Sequence, residues 1–371
     1  MVDIIKDGAV DDLADFDNRF LRRDSRFSVE RKALTRLPLI DLSAFVENRD
    51  LAARRAVAQQ LREACIDIGF FYLVGHGIPQ SELDATVDWG HRFFDLPVAE
   101  KMKLHAGKST ERQGYMGVGG VNPAANVGKP LDLKERFYMS RDVLPGEPVE
   151  GRRSAGASQW PGPDMLPGFE DFMKAHIRKR FAVTLHLVRA FALSLDLPET
   201  YFDDMYRYLS VNFVLNYYPP VDENDLGRNQ WSFSPHTDYG ALTLLSQDAL
   251  GGLQCRNSAG EWINVPPVPG SFVVNIGDLF ATWTNDLYAS TLHRALNTAK
   301  VARIAVPFFV SPHSATMVRC LDTCQSPGNP PRYEPVNAEE YVRALLDQAN
   351  LTGRPGLAAK TVERFQARPS P

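Results

Sequence analysis

The chain has 371 residues, 44% of them hydrophobic and 23% charged, which supplies the core of one large domain or two at about 100 to 200 residues each. A formal charge of -4 gives no reason to expect nucleic acid as a partner, and no apolar run approaches the roughly 18 residues that span a bilayer. The first residues mix charges of both signs without an apolar signal core, and Cys65, Cys255, Cys320 and Cys324 make no disulfide framework for a chain this long, so a cytoplasmic protein is expected.

In chain order, residues 1–36 read as a polar arm, with Arg22, Arg23, Arg26, Arg31 and Lys32 on a solvated face or tail. A short strand near Leu39–Asp41 precedes an amphipathic helix over about 50–66, where Leu51, Val57, Leu61 and Cys65 recur at helical spacing. Phe70–Val74, closed by Gly75, His76 and Gly77, reads as a buried strand and turn, and a second helix over about 80–94 ends before Pro97. Residues 113–134 are rich in Gly, Asn and Pro; long irregular segments in compact enzymes tend to be functional, and this one is expected to lie over a substrate mouth. After a Pro- and Gly-rich stretch, 144–168, a long helix over about 170–195 presents Phe172, Ile177, Phe181, Leu185, Val188 and Ala192 as an apolar stripe. Short strands and turns follow one another from about 208 to 312, the pattern of a double-sheet jelly roll. A short helix over about 338–348 and a polar tail close the chain.

Among these strands a single set of residues carries chemistry. Residues 231–240 (WSFSPHTDYG) lead into a run of apolar and small residues, 241–246, that reads as a buried strand. Alternate strand residues share a face, so His236 and Asp238 are expected to point into one space. His293 comes from a second strand-like stretch, 289–297. Two neutral imidazoles and one carboxylate on one side of a metal make the facial triad of non-haem Fe(II) oxygenases, with positions left open for chemistry. Arg303 opens the apolar run 304–310, and a guanidinium there suits bidentate binding of a carboxylate. Upstream, 211–220 (VNFVLNYYPP) alternates as a strand with Asn216 and Tyr218 on one face as donors. Metal, arginine and phenol together describe a pocket for a small dicarboxylate.

These residues, with LPLIDLS at 37–43, ACIDIGFFYLVGHGI at 64–78, GGLQ at 251–254, Trp262 and NIGD at 275–278, resemble the isopenicillin N synthase-like group of Fe(II)- and 2-oxoglutarate-dependent oxygenases over roughly 37–345. The resemblance implies a mixed α and β fold: a double-stranded β-helix (jelly-roll, cupin-like) core backed by helices, with an N-terminal helix and strand region. It divides the chain into the arm (1–36), a helix-rich region (37–200), the jelly-roll core (201–315) and a C-terminal helix and tail (316–371). It further implies His236, Asp238 and His293 as iron ligands, Arg303 as the clamp on the distal carboxylate of 2-oxoglutarate, and Tyr218 and Asn216 as its helpers. The implied reaction uses O2 and couples decarboxylation of 2-oxoglutarate to succinate with oxidation of a C-H bond in a small organic substrate, by hydroxylation, desaturation or cyclisation. One position departs from the family pattern: Arg-x-Ser is usual, and this chain has Arg303, Ile304 and Ala305.

Other readings remain open on the residues alone. Ala305 favours an iron oxidase of the isopenicillin N synthase kind that needs no 2-oxoglutarate, and a zinc site for hydrolysis or binding would also use His and Asp. His76 reads as a turn residue, and Asn275 and Asp278 as fixing a tight turn. Trp231, Phe233, Trp283 and Phe309 read as pocket lining or plain core, and Lys134, Arg136 and Tyr138 as pocket or surface. Neither the substrate nor the oligomeric state can be read here.

Overall fold

Apolar alternation and helical spacing put most elements where a computed structural model of the chain has them. The structure describes residues 30–118, 132–147, 158–221, 232–297 and 300–349. The expected mouth loop (119–131 of it), most of the N-terminal arm and the tail lie outside the described residues. In order come β1 (Leu39–Asp41), α1 (Ser43–Val46), α2 (Leu51–Asp67), β2 (Phe70–Val74), α3 (Gln80–Phe94), α4 (Val98–Lys103), β3 (Gly114–Met116), β4 (Glu135–Met139), α5 (Phe169–Ser194) and α6 (Asp203–Tyr206). The strand-rich half follows as β5 (Ser210–Tyr218), β6 (Phe233–His236), β7 (Leu242–Gln247), β8 (Leu253–Arg256), β9 (Trp262–Val265), β10 (Phe272–Ile276), α7 (Asp278–Trp283), β11 (His293–Ala295), β12 (Arg303–Ser311), β13 (Met317–Val318), β14 (Val336–Asn337) and α8 (Ala338–Ala349).

Two facing sheets make the jelly roll. The major sheet runs β1-β2-β10-β7-β12-β5-β4-β3 and the minor one β6-β11-β8-β9, with β13 and β14 as a separate pair. Strand register decides which residues share a face, because alternate side chains point oppositely. One face of the major sheet holds Phe71, Val274, Leu244, Phe308, Phe213 and Phe137, all buried in the cluster that packs on the helices. The opposite face holds Phe70, Asn275, Thr243, Gln247, Arg303, Ala305, Asn216, Tyr218 and Arg136 in linked register. Phe70, with Tyr72 and Val273 of the same face, joins the apolar cluster of Leu253, Cys255, Ile263 and Val265 from the minor sheet; most of the others build the site. Burying each large apolar side chain is worth about 1.5 to 3 kcal/mol, so the helix-backed face carries most of the stability.

α2 begins where the Asp50 carboxylate accepts from Ala53 N at 2.8 Å, an N-cap that satisfies one free amide. α5 buries Ile177, Val188 and Ala192 of the expected stripe but leaves Phe172, Phe181 and Leu185 half-buried, and its buried face takes in Met173, Arg180 and Thr184 instead. The reason is Arg180, which a hydrophobic periodicity cannot anticipate: its guanidinium donates to Leu244 O at 3.0 Å, Val306 O at 3.1 Å and Ser246 Oγ at 2.5 Å, bolting the helix to the sheet centre. Arg31 also departs from the expected solvated arm, since it donates to the carbonyls of Ile66 and, at 2.8 Å, Asp286. Among the described residues no helix is long and apolar enough to cross a membrane.

Candidate metal centre

The minor sheet brings two histidines together because its strands pair them directly. His293 on β11 stands opposite His236 on β6, and a bulge follows before Ala295 pairs with Phe233. Their ring centroids are 4.3 Å apart. Asp238 arrives differently from the sequence expectation. β6 ends at His236, so strand alternation does not place the carboxylate. The turn after the strand does, held by Asp278 N donating to Asp238 O at 2.8 Å and Leu279 N to Gly240 O at 3.1 Å.

Asp238 Oδ1 lies 3.9 Å from His236 Nε2 and 3.7 Å from His293 Nε2. Ligands at about 2.0 to 2.2 Å from one first-row ion, at right angles, stand roughly 3 Å apart, so closing the set takes less than about an ångström of movement. Every other polar atom of the trio is already engaged. His236 Nδ1 meets Ser234 O at 2.7 Å and His293 Nδ1 meets Thr291 O at 3.0 Å, so each ring carries its proton there and turns a bare Nε2 inward. Asp238 Oδ2 accepts from Asn275 Nδ2 at 2.7 Å and from the Thr243 hydroxyl, which leaves Oδ1 facing the rings. Such outer partners fix ring tautomer and carboxylate orientation in metal sites. Burial, then the neighbouring His293, hold the His236 pKa well below its usual value, so this imidazole is neutral and able to ligate. Among the described residues these three form a cluster whose ligand atoms lie within 4.8 Å of one another.

Arg303 begins β12 opposite Tyr218, fully buried. Its Nε donates to Gly251 O and one terminal nitrogen, Nη2, to Gln247 Oε1 at 3.1 Å, while Nη1 is buried without a hydrogen-bond partner. The guanidinium also lies over the Tyr218 ring, 4.8 Å from its centre. Burial pushes the Tyr218 phenol above its ordinary pKa, so it remains a neutral donor. Gly252 has φ of +90°, and a Cβ there would sit 2.0 Å from Leu296 O; only glycine lets this loop pass so close to that carbonyl. Ala305 faces Gln247 on one side and Asn216 on the other, so the amide that touches Arg303 stands next to the missing hydroxyl. Asn216 Oδ1 is buried and unpartnered.

Several residues of this neighbourhood have roles that differ from, or go beyond, those read from the sequence. Asn275 does not turn the chain but lies in β10 and donates to Asp238. Asp278 opens α7, accepts from Ser290 Oγ at 2.6 Å and contacts Thr237 Oγ1 at 3.4 Å, bracing the turn that carries Asp238. Thr243 and Gln247 had no signal beyond their place in a predicted strand. Phe233 stacks on His236 at 3.8 Å and Phe70 meets His293 edge-on at 5.3 Å, whereas Trp283 packs in the helix-backed core. His76 is the turn residue expected, accepting from Ile78 N at 3.2 Å. Trp231 lies outside the described residues. Lys134 and Arg136 are buried, which removes the surface reading for both.

Known proteins match along most of the chain. Residues 37–163 match the model of the non-haem dioxygenase in morphine synthesis N-terminal region, and 210–312 that of the 2OG-Fe(II) oxygenase superfamily. The 2-oxoglutarate-Fe(II) type oxidoreductase hxnY of Emericella nidulans is 32% identical over 323 residues, 85% of this chain and 91% of that protein. Homoarginine-6-hydroxylase 2-ODD-C23 of Glycine max is 33% identical over 86% of this chain and 96% of its own. The crystal structure of a full-length Neurospora crassa protein in complex with alpha-KG and thymine superposes with a TM-score of 0.74 at 27% identity, covering 87% of this chain and 99% of that one.

Proposed function

Because the chain belongs to the 2OG-Fe(II) oxygenase superfamily and is an oxidoreductase that uses Fe(II), 2-oxoglutarate and O2, we propose that His236, Asp238 and His293 hold the iron and that Arg303, helped by Tyr218 and Asn216, anchors 2-oxoglutarate. The observation that carries this reading is the division of labour in the trio: both Nδ1 atoms and Asp238 Oδ2 are occupied by outer partners, leaving two Nε2 atoms and one Oδ1 to share an ion. Iron and 2-oxoglutarate together would supply the oxidising chemistry, in which one O2 is spent on making succinate and CO2 and on oxidising a substrate C-H bond, by hydroxylation, desaturation or cyclisation. The protein supplies placement and dryness.

Asp238 lowers the charge of a bound divalent ion by one, and the neutral imidazoles set its geometry without adding charge. Arg303 is preset by Gly251 and Gln247, so its free Nη1 is presented to the far carboxylate of a dicarboxylate, with Tyr218 beside it. Ala295, Ala305, Phe233 and Leu245 pack around Tyr218 and keep that end of the pocket apolar. The substrate is proposed to be a small organic molecule. Relatives differ in what they act on or bind, homoarginine-6-hydroxylase and the thymine-bound Neurospora crassa protein among them.

The test is visible absorption of the apoprotein under argon as Fe(II) and then 2-oxoglutarate are added. A charge-transfer band that needs both is expected. It should vanish in His236→Ala and Asp238→Ala with melting unchanged, and should need more 2-oxoglutarate in Arg303→Lys. Iron binding with no such band would refute the 2-oxoglutarate assignment, and wild-type iron affinity in either alanine variant would refute the ligand assignment.

A further inference from the structure

The face that carries Arg303 carries a second arginine, which has no carboxylate at ion-pair distance among the described residues. Arg136 on β4 stands opposite Asn216 on β5, in line with the Tyr218 and Arg303 pair. It is 7% exposed. One terminal nitrogen, Nη1, donates to the Tyr138 hydroxyl at 2.6 Å, the guanidinium carbon lies 4.5 Å from the Phe233 ring centre, and Nε is buried with no hydrogen-bond partner. Phe233 stacks directly on His236, so one aromatic ring lies between this cation and the metal triad. Its charge reaches His236, Tyr218 and Tyr239, which surround the centre.

Lys134 lies against the same ring, its Nζ 3.0 Å from the Phe233 centre, but it is engaged elsewhere. Its Nζ is 2.5 Å from Asp132 Oδ2, both side chains are buried, and Asp132 is further held by Ser234 N at 3.0 Å. While the pair holds one proton it is neutral, and the Asp132 carboxylate acts on Arg136 only at longer range than an ion pair. Glu135 points to the opposite face, where it meets Lys101 at 2.8 Å. Among the described residues no carboxylate pairs with Arg136, although an unpaired buried charge is costly and buried charges are otherwise paired. The loaded centre sharpens the imbalance: Fe(II) with Asp238 leaves one positive charge, Arg303 adds one, and the 2-oxoglutarate dianion cancels both. Arg136 then remains as a single positive charge.

We propose that Arg136 anchors the primary substrate through a carboxylate, so that the enzyme acts on small monocarboxylic acids. This rests on the Fe(II) and 2-oxoglutarate reading of the centre. The planar fork of a guanidinium matches a carboxylate, and one charge to balance selects a monoanion over a phosphate monoester.

The experiment uses the anaerobic Fe(II) and 2-oxoglutarate complex and follows its visible band while probes are added: butanoate, hexanoate, octanoate, benzoate and phenylacetate, the primary carboxamide of each, and phenyl phosphate. At least one acid is expected to shift the band at least tenfold more tightly than its amide and more tightly than phenyl phosphate. Arg136→Gln should erase that preference while 2-oxoglutarate affinity stays within twofold, and Arg136→Lys should retain some of it. The apoprotein of Arg136→Met should melt at or above the wild-type temperature, since an unpaired buried charge is removed. The proposal is overturned if no acid is preferred over its amide, if phenyl phosphate binds best, if Arg136→Gln weakens 2-oxoglutarate tenfold, or if Arg136→Met melts several degrees lower, which would make Arg136 structural. A wild-type protein without the band fails the underlying reading instead, before any probe is added.

Discussion

Replacing Thr243 by valine removes one hydrogen bond from Asp238 and should loosen the iron while leaving the fold in place. Valine matches threonine in shape and suits a strand at least as well, so β7 keeps its register against β10 and β12. What changes is the carboxylate, whose Oδ2 retains only Asn275 Nδ2 at 2.7 Å as a donor. A hydrogen bond to a charged group is worth about 1.5 to 3 kcal/mol. Loss of an outer partner in a metal site typically costs about 10- to 100-fold in affinity, which is roughly 1.4 to 2.8 kcal/mol, so the two scales agree. With Asn275 still in place the low end is expected, about tenfold in the Kd for Fe(II). Adding Asn275→Ala should bring the loss to about 100-fold or more, since nothing then keeps Oδ1 turned toward the histidines. Anaerobic Fe(II) titration, with succinate formation at limiting and saturating iron, reads the effect: activity should recover in excess iron. Iron affinity within twofold of wild type in both the single and the double variant would refute the role given to Asp238 Oδ2.

Three further outcomes follow from the geometry. Ala305→Ser places a hydroxyl between Gln247 and Asn216 beside the open nitrogen of Arg303; 2-oxoglutarate should bind severalfold more tightly by titration of the charge-transfer band, and an unchanged Kd would mean that Gln247 already serves there. Gly252→Ala forces a Cβ to within 2.0 Å of Leu296 O at a φ of +90°, so about 1 to 3 kcal/mol of strain should lower the melting temperature and weaken 2-oxoglutarate together; normal affinity in a destabilised variant would separate the loop from the clamp. His176 is held neutral, its pKa pushed down to about 3 by burial and then by Arg180. Its Nδ1 is 2.8 Å from Glu82 Oε1, and its Nε2 accepts from Arg180 at 2.8 Å. Between about pH 3 and 6.5 the unfolded chain therefore binds a proton that the folded one refuses, and stability falls as pH falls through that window. Melting temperature against pH should flatten below pH 6.5 in His176→Gln; an unchanged slope would place the acid sensitivity elsewhere.

Local periodicity was enough for β2, α3 and β1, and within a residue or two for α2, α8 and the ends of α5, because side chains a few residues apart decide those elements. The metal trio, Arg303, Tyr218 and Asn216 were legible as residue types at short spacings around predicted strands. How Asp238 reaches the histidines was not, since the turn that carries it is held by α7, some forty residues away in the chain. The polar part of the buried α5 face was hidden for the same kind of reason: Arg180 is buried only because carbonyls on β7 and β12 receive its protons.

Register between distant strands made the remaining decisions. Thr243 and Asn275 become partners of Asp238 because β7 pairs with β10, Gln247 becomes a neighbour of Arg303 because β7 pairs with β12, and Arg136 turns inward because β4 pairs with β5. A one-residue slip in any of these pairings would send the same side chains to the opposite face. The sequence by itself thus determined the elements, the metal-binding residue types and the family they resemble, all of which depend on short-range pattern. Only the tertiary structure decided which polar side chains face the centre and which are spent holding others.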